Sequence, residues 1–158
     1  MRSYITGNWQ KLQQTSSSID NRLYAVKDNR HPSFEKVNLS KNNDLKDVSN
    51  SSNDICPSQT DLGWLFKLDK NEKVTGRVAV GDGKIFVPRY TPDSTDVCKV
   101  GTSKVTVHEM LCGKKKDTIE LGEGIVTGLT YYRNKSTLYG GLSAVQDPKK
   151  ALGPKDGS

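Results

Sequence analysis

Short runs in which apolar and polar residues alternate dominate this chain, and helical periodicity is absent between them. In the segment GWLFKL, Trp64, Phe66 and Leu68 fall on alternate positions, which is the two-residue period of a strand with one face more buried than the other. Val105 and Val107 repeat that pattern. Further short strands are predicted at 23–26, 78–80, 85–87, 119–121, 125–131 and 138–139.

A tight turn separates two of these predicted strands. Gly81-Asp82-Gly83 lies between the apolar runs 78–80 and 85–87, and its glycines tolerate the backbone angles of a two-residue hairpin. With roughly eight or nine such strands and no helix, the sequence predicts an all-β fold of short antiparallel strands.

An internal similarity narrows the predicted architecture. Val74-Thr75-Gly76, a strand and the run 84–87 are echoed by Val126-Thr127-Gly128, a strand and the run 137–140. The segment 4–7 resembles the second half of the same unit. Repeats of about 40 to 50 residues made only of short strands are typical of propeller blades. Three partial blades cannot close a ring, so we expect a partial or open propeller.

The remaining segments are polar. Asn, Ser and Asp are concentrated between Asn38 and Asp54, and these residues bond their own backbone locally, so a long surface loop is predicted over 38–61. We expect one β domain over residues 1–145 and a flexible tail over 146–158. Apolar residues make up only 33% of the chain, which predicts a thin core.

The order of several motifs resembles one known family. Gly63-Trp64 opens a strand, Glu72-Lys73-Val74 follows, and the chain continues through Gly83–Val87, Thr91-Pro92 and Gly101-Thr102-Ser103. Upstream, the run 21–28 reads NRLYAVKD, and Gly122–Ile125 opens the next repeat. This series, over about residues 4–145, is similar to the C-terminal propeller-like domain of PilY-type proteins, which are bacterial factors of type IV pilus biogenesis and the pilus tip.

The resemblance implies a secreted, non-enzymatic module that acts in pilus assembly or in adhesion to surfaces or host cells. Its partners would be pilus subunits or neighbouring β segments. The calcium loop of the family is missing, because the run 69–73 has lysine at the third ligand position and no glycine follows at the sixth. We therefore carry over no metal ligand. Family members are longer and begin with a signal peptide, so we expect this chain to be an excised segment or a reduced relative.

Charge and hydropathy weigh against other classes of function. The net charge is +6, but the one dense basic run, Lys114–Lys116, has the composition of a solvated hairpin tip, so a nucleic-acid-binding β module is a lesser alternative. The other alternative is a structural subunit of an extracellular filament or coat. No apolar run has the length of a membrane helix, and no export signal is recognised near residue 1.

Catalytic and cofactor chemistry is not expected. Only His31 and His108 could act as general bases near neutral pH, and we interpret His108 as an edge or surface residue of a strand. A quinoprotein-type propeller enzyme would need a closed ring and a cofactor cradle, which this length cannot supply. We expect no enzyme activity, no cofactor and no metal site.

Three cysteines, Cys56, Cys98 and Cys112, allow one disulfide and one free thiol. A straight strand after Cys98 would carry Cys112 out of its reach, whereas Cys56 on the polar segment can reach either residue. We favour a bond between Cys56 and Cys98, formed in an oxidising compartment.

Aromatic side chains are the candidates for partner binding, because a ring exposed on a strand can anchor a partner protein. The four candidates are Trp9, Tyr90, Tyr131 and Tyr132. Tyr131 and Tyr132 are adjacent in a strand and must face opposite sides, so one of them faces solvent or a neighbouring subunit. Trp64 is expected in the core instead.

Overall fold

The computed structural model describes residues 2–6, 20–28, 31–33, 44–50, 56–96 and 99–143, and these residues form an all-β protein. Its strands in chain order are β1 (Arg2–Thr6), β2 (Arg22–Val26), β3 (Lys46–Asp47), β4 (Gly63–Lys67), β5 (Lys73–Val74), β6 (Ala79–Gly81), β7 (Lys84–Thr91), β8 (Thr102–Glu109), β9 (Lys115–Glu123), β10 (Ile125–Tyr132) and β11 (Thr137–Ser143).

The strands form three open sheets. The first sheet has the order β1-β2-β4-β3, the middle sheet has the order β5-β7-β8-β9 with β6 also paired to β7, and the third sheet is the β10-β11 hairpin. All pairs are antiparallel except that of β3 with β4. The prediction of an all-β fold made of short antiparallel strands in open sheets is confirmed.

Strand β7 of the middle sheet is buried on both faces. Ile85 and Val87 of β7 pack with Trp64 and other apolar residues of the first sheet. The intervening Phe86 packs on the opposite face with Val107 and with side chains of the third sheet. Because side chains alternate across a strand, β7 joins the three sheets into consecutive layers.

Strand β4 is more buried than its alternation predicts. The four residues Gly63–Phe66 are all buried, whereas GWLFKL suggests one buried and one more open face. The reason is that Leu65 packs with Val26 and Leu45 in a smaller cluster on the outer side of the first sheet.

Part of the segment 38–61, which was expected to be a surface loop, packs against the first sheet. Leu45 and Val48 are buried, and β3 between them pairs in parallel with β4. These two apolar residues anchor the polar segment, since they can be buried only if the chain returns to the first sheet. The predicted tail 146–158 lies outside the described residues.

The predicted hairpin turn is present between β6 and β7. Asp82 and Gly83 both have positive φ, of 47° and 71°, and Gly81 is paired with Lys84 across the turn. Positive φ at both central residues is the geometry of a type I′ turn, whose twist matches that of the flanking strands.

The two copies of the internal similarity contact each other. The hydroxyl of Thr75 donates a hydrogen bond of 2.7 Å to the carbonyl oxygen of Val126, and a Cβ at Gly76 would lie 2.9 Å from the carbonyl oxygen of Thr127. The first copy begins at Val74 in β5, which pairs with β7, and the second copy begins at Val126 in β10, which pairs with β11. The third sheet therefore begins in the same way as the middle sheet.

Candidate binding surfaces

Strand β11 is an open edge. It pairs with β10 and has no strand on its other side within the described residues. Its sequence, TLYGGLS, contains no charged residue and no proline. By contrast, β9 at the outer edge of the middle sheet carries lysines and acids, and its pairing with β8 is irregular in two places. Charges and bulges protect sheet edges against further pairing, so β11 is the less protected of the two edges.

Two tyrosines project from the outer face of the β10-β11 hairpin. Tyr132 and Tyr139 are 46% and 57% exposed. Tyr132 is paired with Thr137, and Thr130 is paired with Tyr139, so the two tyrosines occupy diagonal positions on one face. They form an exposed aromatic patch beside the free edge, and we name this patch and β11 together the hairpin surface.

The structure distinguishes the adjacent tyrosines. Tyr132 is the exposed one, as described above. Tyr131 faces the middle sheet, where its ring stacks on Phe86 with the centroids 5.1 Å apart. Its hydroxyl donates a hydrogen bond to the carboxylate of Asp82 at 2.5 Å, which lowers the pKa of Asp82.

The remaining aromatic candidates are not part of this surface. Tyr90 is fully buried, and its hydroxyl accepts a hydrogen bond of 3.0 Å from the backbone amide of Gly101. Its prediction as a partner-binding residue is wrong, because β7 lies between two other sheets. Trp9 lies outside the described residues.

A polar cluster is buried between the first and middle sheets. Arg89, on the same face of β7 as Ile85, is 2% exposed and lies with one guanidinium nitrogen 3.1 Å from a carboxylate oxygen of Glu72. A second guanidinium nitrogen lies 2.9 Å from Nε2 of His108. The other oxygen of Glu72 contacts the ammonium of Lys104. The guanidinium carbon lies 5.0 Å from the centroid of the Phe66 ring.

The partners of His108 identify its protonation state. Arg89 can only donate, so Nε2 accepts, and Nδ1 then carries the proton and donates to the carbonyl oxygen of Gly113 at 2.8 Å. Burial lowers the pKa of His108 to about 4, and the nearby Arg89 charge acts in the same direction. His108 is therefore a neutral, buried imidazole at pH 7.

The two cations around Glu72 respond differently to this environment. Burial lowers the pKa of Arg89, although Glu72 opposes that change. Burial also disfavours the charge of Lys104, but the hydrogen bond and the attraction from Glu72 outweigh it and raise the pKa of Lys104. A single carboxylate thus stabilises two cations, one buried and one partly exposed.

A cleft of about 340 Å³ opens beside this cluster. Arg89 and Phe66 lie along it. Cations come from Lys67 of β4, from Lys115 at the start of β9 and from Lys114 just before that strand. Asp69 is its carboxylate, and most of that side chain is exposed. The cleft therefore has an excess of positive charge.

The disulfide of the structure joins Cys56 to Cys112, with their Cα atoms 4.6 Å apart. Cys56 is a predicted half of the bond, but its partner is Cys112 and not Cys98, which lies outside the described residues. The difference arises because the chain turns back after β8, where the amide of Gly113 bonds to the carbonyl oxygen of Glu109. This turn brings Cys112 under the polar segment and to the wall of the cleft.

Neither a cluster of metal ligands nor a membrane-spanning helix is found among the described residues. No group of three or more His, Cys, Asp or Glu residues there could hold a metal ion. The carboxylate of Asp93 accepts hydrogen bonds from the hydroxyl and amide of Thr95, which lower its pKa. None of the helices found among the described residues has the length and apolarity to cross a membrane.

Comparison with protein-family models, with curated proteins and with solved structures finds no match to this chain. The resemblance to PilY-type proteins accordingly rests on the order of the sequence motifs quoted above.

Sequence reasoning did not find the buried cluster. The prediction that His108 lies at an edge or on the surface is wrong, because β8 is covered by β7 and β9 on its two sides and by the first sheet. The sequence did contain one indication: Arg89 is separated from Ile85 and Val87 by an even number of residues, so the three side chains are on one face of the strand. This spacing predicts that Arg89 is on a buried face, but it does not identify Glu72 as its partner.

Proposed function

We propose that this protein is a non-enzymatic binding module that recruits a β strand of a partner protein to the edge of β11. The observation that supports the proposal is the uncharged edge of β11, which no other strand covers among the described residues. An extended segment adding to such an edge gains main-chain hydrogen bonds. The exposed Tyr132 and Tyr139 beside that edge would supply aromatic contacts to the same partner.

The internal similarity indicates what kind of strand would fit. In the middle sheet, the counterpart of β11 is β7, and the outer neighbour of β7 is β8. A strand added at the side of β11 that is unpaired among the described residues would therefore correspond to β8, an antiparallel strand of sequence TSKVTVHE in which β-branched residues are frequent. We propose that the partner segment is an antiparallel strand of this type.

The setting that we propose is extracellular, in the assembly or surface attachment of type IV pili. Two observations support it. The Cys56–Cys112 disulfide suits an oxidising compartment, and the motif order resembles that of PilY-type proteins. Pilus subunits carrying exposed β segments are the partner class that this setting implies.

The proposal can be tested with a synthetic peptide of the β8 sequence, Thr102–Glu109, added to the ¹⁵N-labelled protein. We expect amide shifts and slower hydrogen exchange along β11, because the outward-facing amides of that strand gain acceptors. Replacing Tyr139 by lysine should remove these changes, since it places a charge at the edge.

A matched control places the same charge on the other outer strand. Ile119 of β9 is 40% exposed, so Ile119→Lys should fold and leave peptide binding at β11 unchanged. If the peptide perturbs β9 instead of β11, or if Tyr139→Lys and Ile119→Lys have equal effects, strand addition at β11 is wrong.

A further inference from the structure

We infer that the outer face of the β10-β11 hairpin is a docking surface for a further β-hairpin of the same repeat, contributed by the partner protein. The outer face is the one turned away from the middle sheet, and it includes Thr127, Gly128 and Tyr139. The inference rests on the proposed function only in placing a partner at the hairpin surface. It does not require strand addition at the edge of β11.

The middle sheet shows how one copy of the repeat holds the next copy. The hydroxyl of Thr75 donates a hydrogen bond of 2.7 Å to the carbonyl oxygen of Val126 in the third sheet. A Cβ at Gly76 would lie 2.9 Å from the carbonyl oxygen that follows along β10, so only glycine allows the two backbones to approach so closely. The ring of Phe86 stacks on the ring of Tyr131. A threonine, a glycine and an aromatic ring thus make this contact between sheets.

The third sheet carries the same three residue types on its outer face. In the internal similarity, Thr127, Gly128 and Tyr139 are the counterparts of the threonine, the glycine and the phenylalanine. Gly128 is paired with Gly141, which is two residues from Tyr139 along β11, so these three residues share one face. A Cβ at Gly141 would lie 3.8 Å from Oγ1 of Thr127, which places that hydroxyl on the same face.

The three counterparts are exposed where the originals are covered. Thr75 is 2% exposed and Phe86 is 8% exposed, whereas Thr127 is exposed and Tyr139 is 57% exposed. The outer face therefore repeats the contact residues of the middle sheet without the hairpin that covers them there.

Gly128 is not required by the fold of the protein itself. Its φ lies outside the left-handed region that favours glycine. A Cβ placed at Gly128 would meet no atom within 4 Å among the described residues beyond its chain neighbours. Glycine inside a strand weakens that strand and marks sites where another backbone approaches closely. An approaching hairpin would make the same demand on Gly128 that the third sheet makes on Gly76.

The third sheet also indicates the chemistry of the occupant. On its inner side it offers the middle sheet a carbonyl oxygen of a Val-Thr-Gly strand, the ring of Tyr131 and the side chain of Leu138. The expected occupant is an antiparallel hairpin with these groups on one side. A second copy of this chain does not offer that side, because its own middle sheet already covers it.

A hairpin peptide of the sequence Ile125–Ser143 is the probe. Cysteines added at its two ends and joined as a disulfide hold it as a hairpin, since an isolated hairpin is only marginally stable. Titrated into the ¹⁵N-labelled protein, it should bind with a dissociation constant on the order of 0.1–1 mM. We expect amide shifts at 127–130 and 139–141 without the slower hydrogen exchange along β11 that strand addition would cause.

The adjacent tyrosines of the peptide supply matched variants. Tyr131→Ser in the peptide should abolish binding, because that ring is the one that stacks on the aromatic residue of the preceding sheet. Tyr132→Ser in the peptide should leave binding unchanged, because Tyr132 faces the opposite side of the hairpin. Equal effects of the two changes would contradict docking through the inner side.

The two glycines supply a second matched pair, in the protein. Gly128→Ala should weaken peptide binding by about ten-fold or more and keep the melting temperature within about 2 °C, because the added methyl group meets only the docked hairpin. Gly76→Ala should lower the melting temperature by about 5 °C or more, because its methyl group meets the third sheet. Binding of the Thr102–Glu109 peptide at the edge of β11 should be the same in Gly128→Ala and the parent, so this experiment separates face docking from strand addition.

Four results would overturn the inference. The first is the absence of hairpin binding up to about 5 mM, well above the expected dissociation constant. The second is hairpin binding that Gly128→Ala leaves unchanged, which would place the peptide elsewhere. The third is a Gly128→Ala protein as destabilised as Gly76→Ala, which would mean that the chain covers this face itself. The fourth is a concentration-dependent shift of 127–130 without peptide, which would identify a second copy as the occupant.

Discussion

The guanidinium of Arg89 lies 3.1 Å from the carboxylate of Glu72, with the two side chains only 2% and 1% exposed. Glu72 belongs to the turn before β5, where its carboxylate also accepts a 3.0 Å hydrogen bond from the amide of Asp69. The pair therefore fixes this turn against the second half of β7. Because neither ion can be solvated by water at this position, each depends on the other for its stability.

This dependence predicts a large cost for Glu72→Gln. The substitution removes the negative charge and leaves Arg89 buried without a counterion, so the free energy of unfolding should fall by about 3–5 kcal/mol. Urea denaturation at pH 7 measures the change. Asp47→Asn, which breaks the exposed pair with Lys67, is the matched control and should cost about 1 kcal/mol or less. Equal costs for the two variants would contradict the importance of the buried pair.

Stability should decrease as the pH falls from about 6.5 towards 4. The pKa of His108 is about 4 in the folded protein and near 6.5 when unfolded, so in this window the unfolded state binds the additional proton. Between pH 7 and pH 5, this residue should account for about 2 kcal/mol of lost stability. Denaturation curves at several pH values measure it.

The variant His108→Gln isolates that contribution. Carboxylates titrate in the same experiment, but they are common to both proteins and cancel in the comparison. The variant should lose less stability than the parent between pH 7 and pH 5, whatever its stability at pH 7. Parallel pH profiles for the two proteins would refute the assignment of a neutral, buried His108.

Oxidised protein should contain one disulfide, between Cys56 and Cys112, and a free thiol at Cys98. Peptide mass mapping identifies the pair directly. Because the bond closes a loop with a sequence separation of 56 residues, Cys56→Ser should lower the free energy of unfolding by about 3–4 kcal/mol. Cys98→Ser should leave the disulfide intact. Recovery of a Cys56–Cys98 peptide would contradict the structure.

Trp64→Ala should destabilise the fold by about 3–5 kcal/mol, through lost burial and a residual cavity. The Trp64 side chain is fully buried, and its indole nitrogen donates a 3.1 Å hydrogen bond to the carbonyl oxygen of Met110. Tyr132→Ala, at an exposed position, is the comparison and should change stability by about 0.5 kcal/mol or less. Thermal melting of both variants checks this, and a Trp64→Ala protein that melts within about 2 °C of the parent would exclude the core assignment.

Much of the β architecture follows from the sequence alone. The short apolar run 85–87 and the alternation in 105–107 predict strands. Gly81-Asp82-Gly83 predicts the hairpin turn because its residues tolerate positive φ. These are local properties of the chain. The similarity of 74–76 to 126–128 is likewise visible in the sequence, although the contact between the two copies is not.

Only the tertiary structure determines which residues each face of a strand packs against. Because side chains alternate along a strand, the sequence shows that Tyr131 and Tyr132 face opposite sides. The packing of Phe86 determines that Tyr131 is the covered one. Spacing allows Cys56 two partners, and the turn at Gly113 selects Cys112. Contacts between distant segments depend on how the whole fold buries apolar groups and pairs charges. They therefore produce no repeating pattern in the sequence from which they could be predicted.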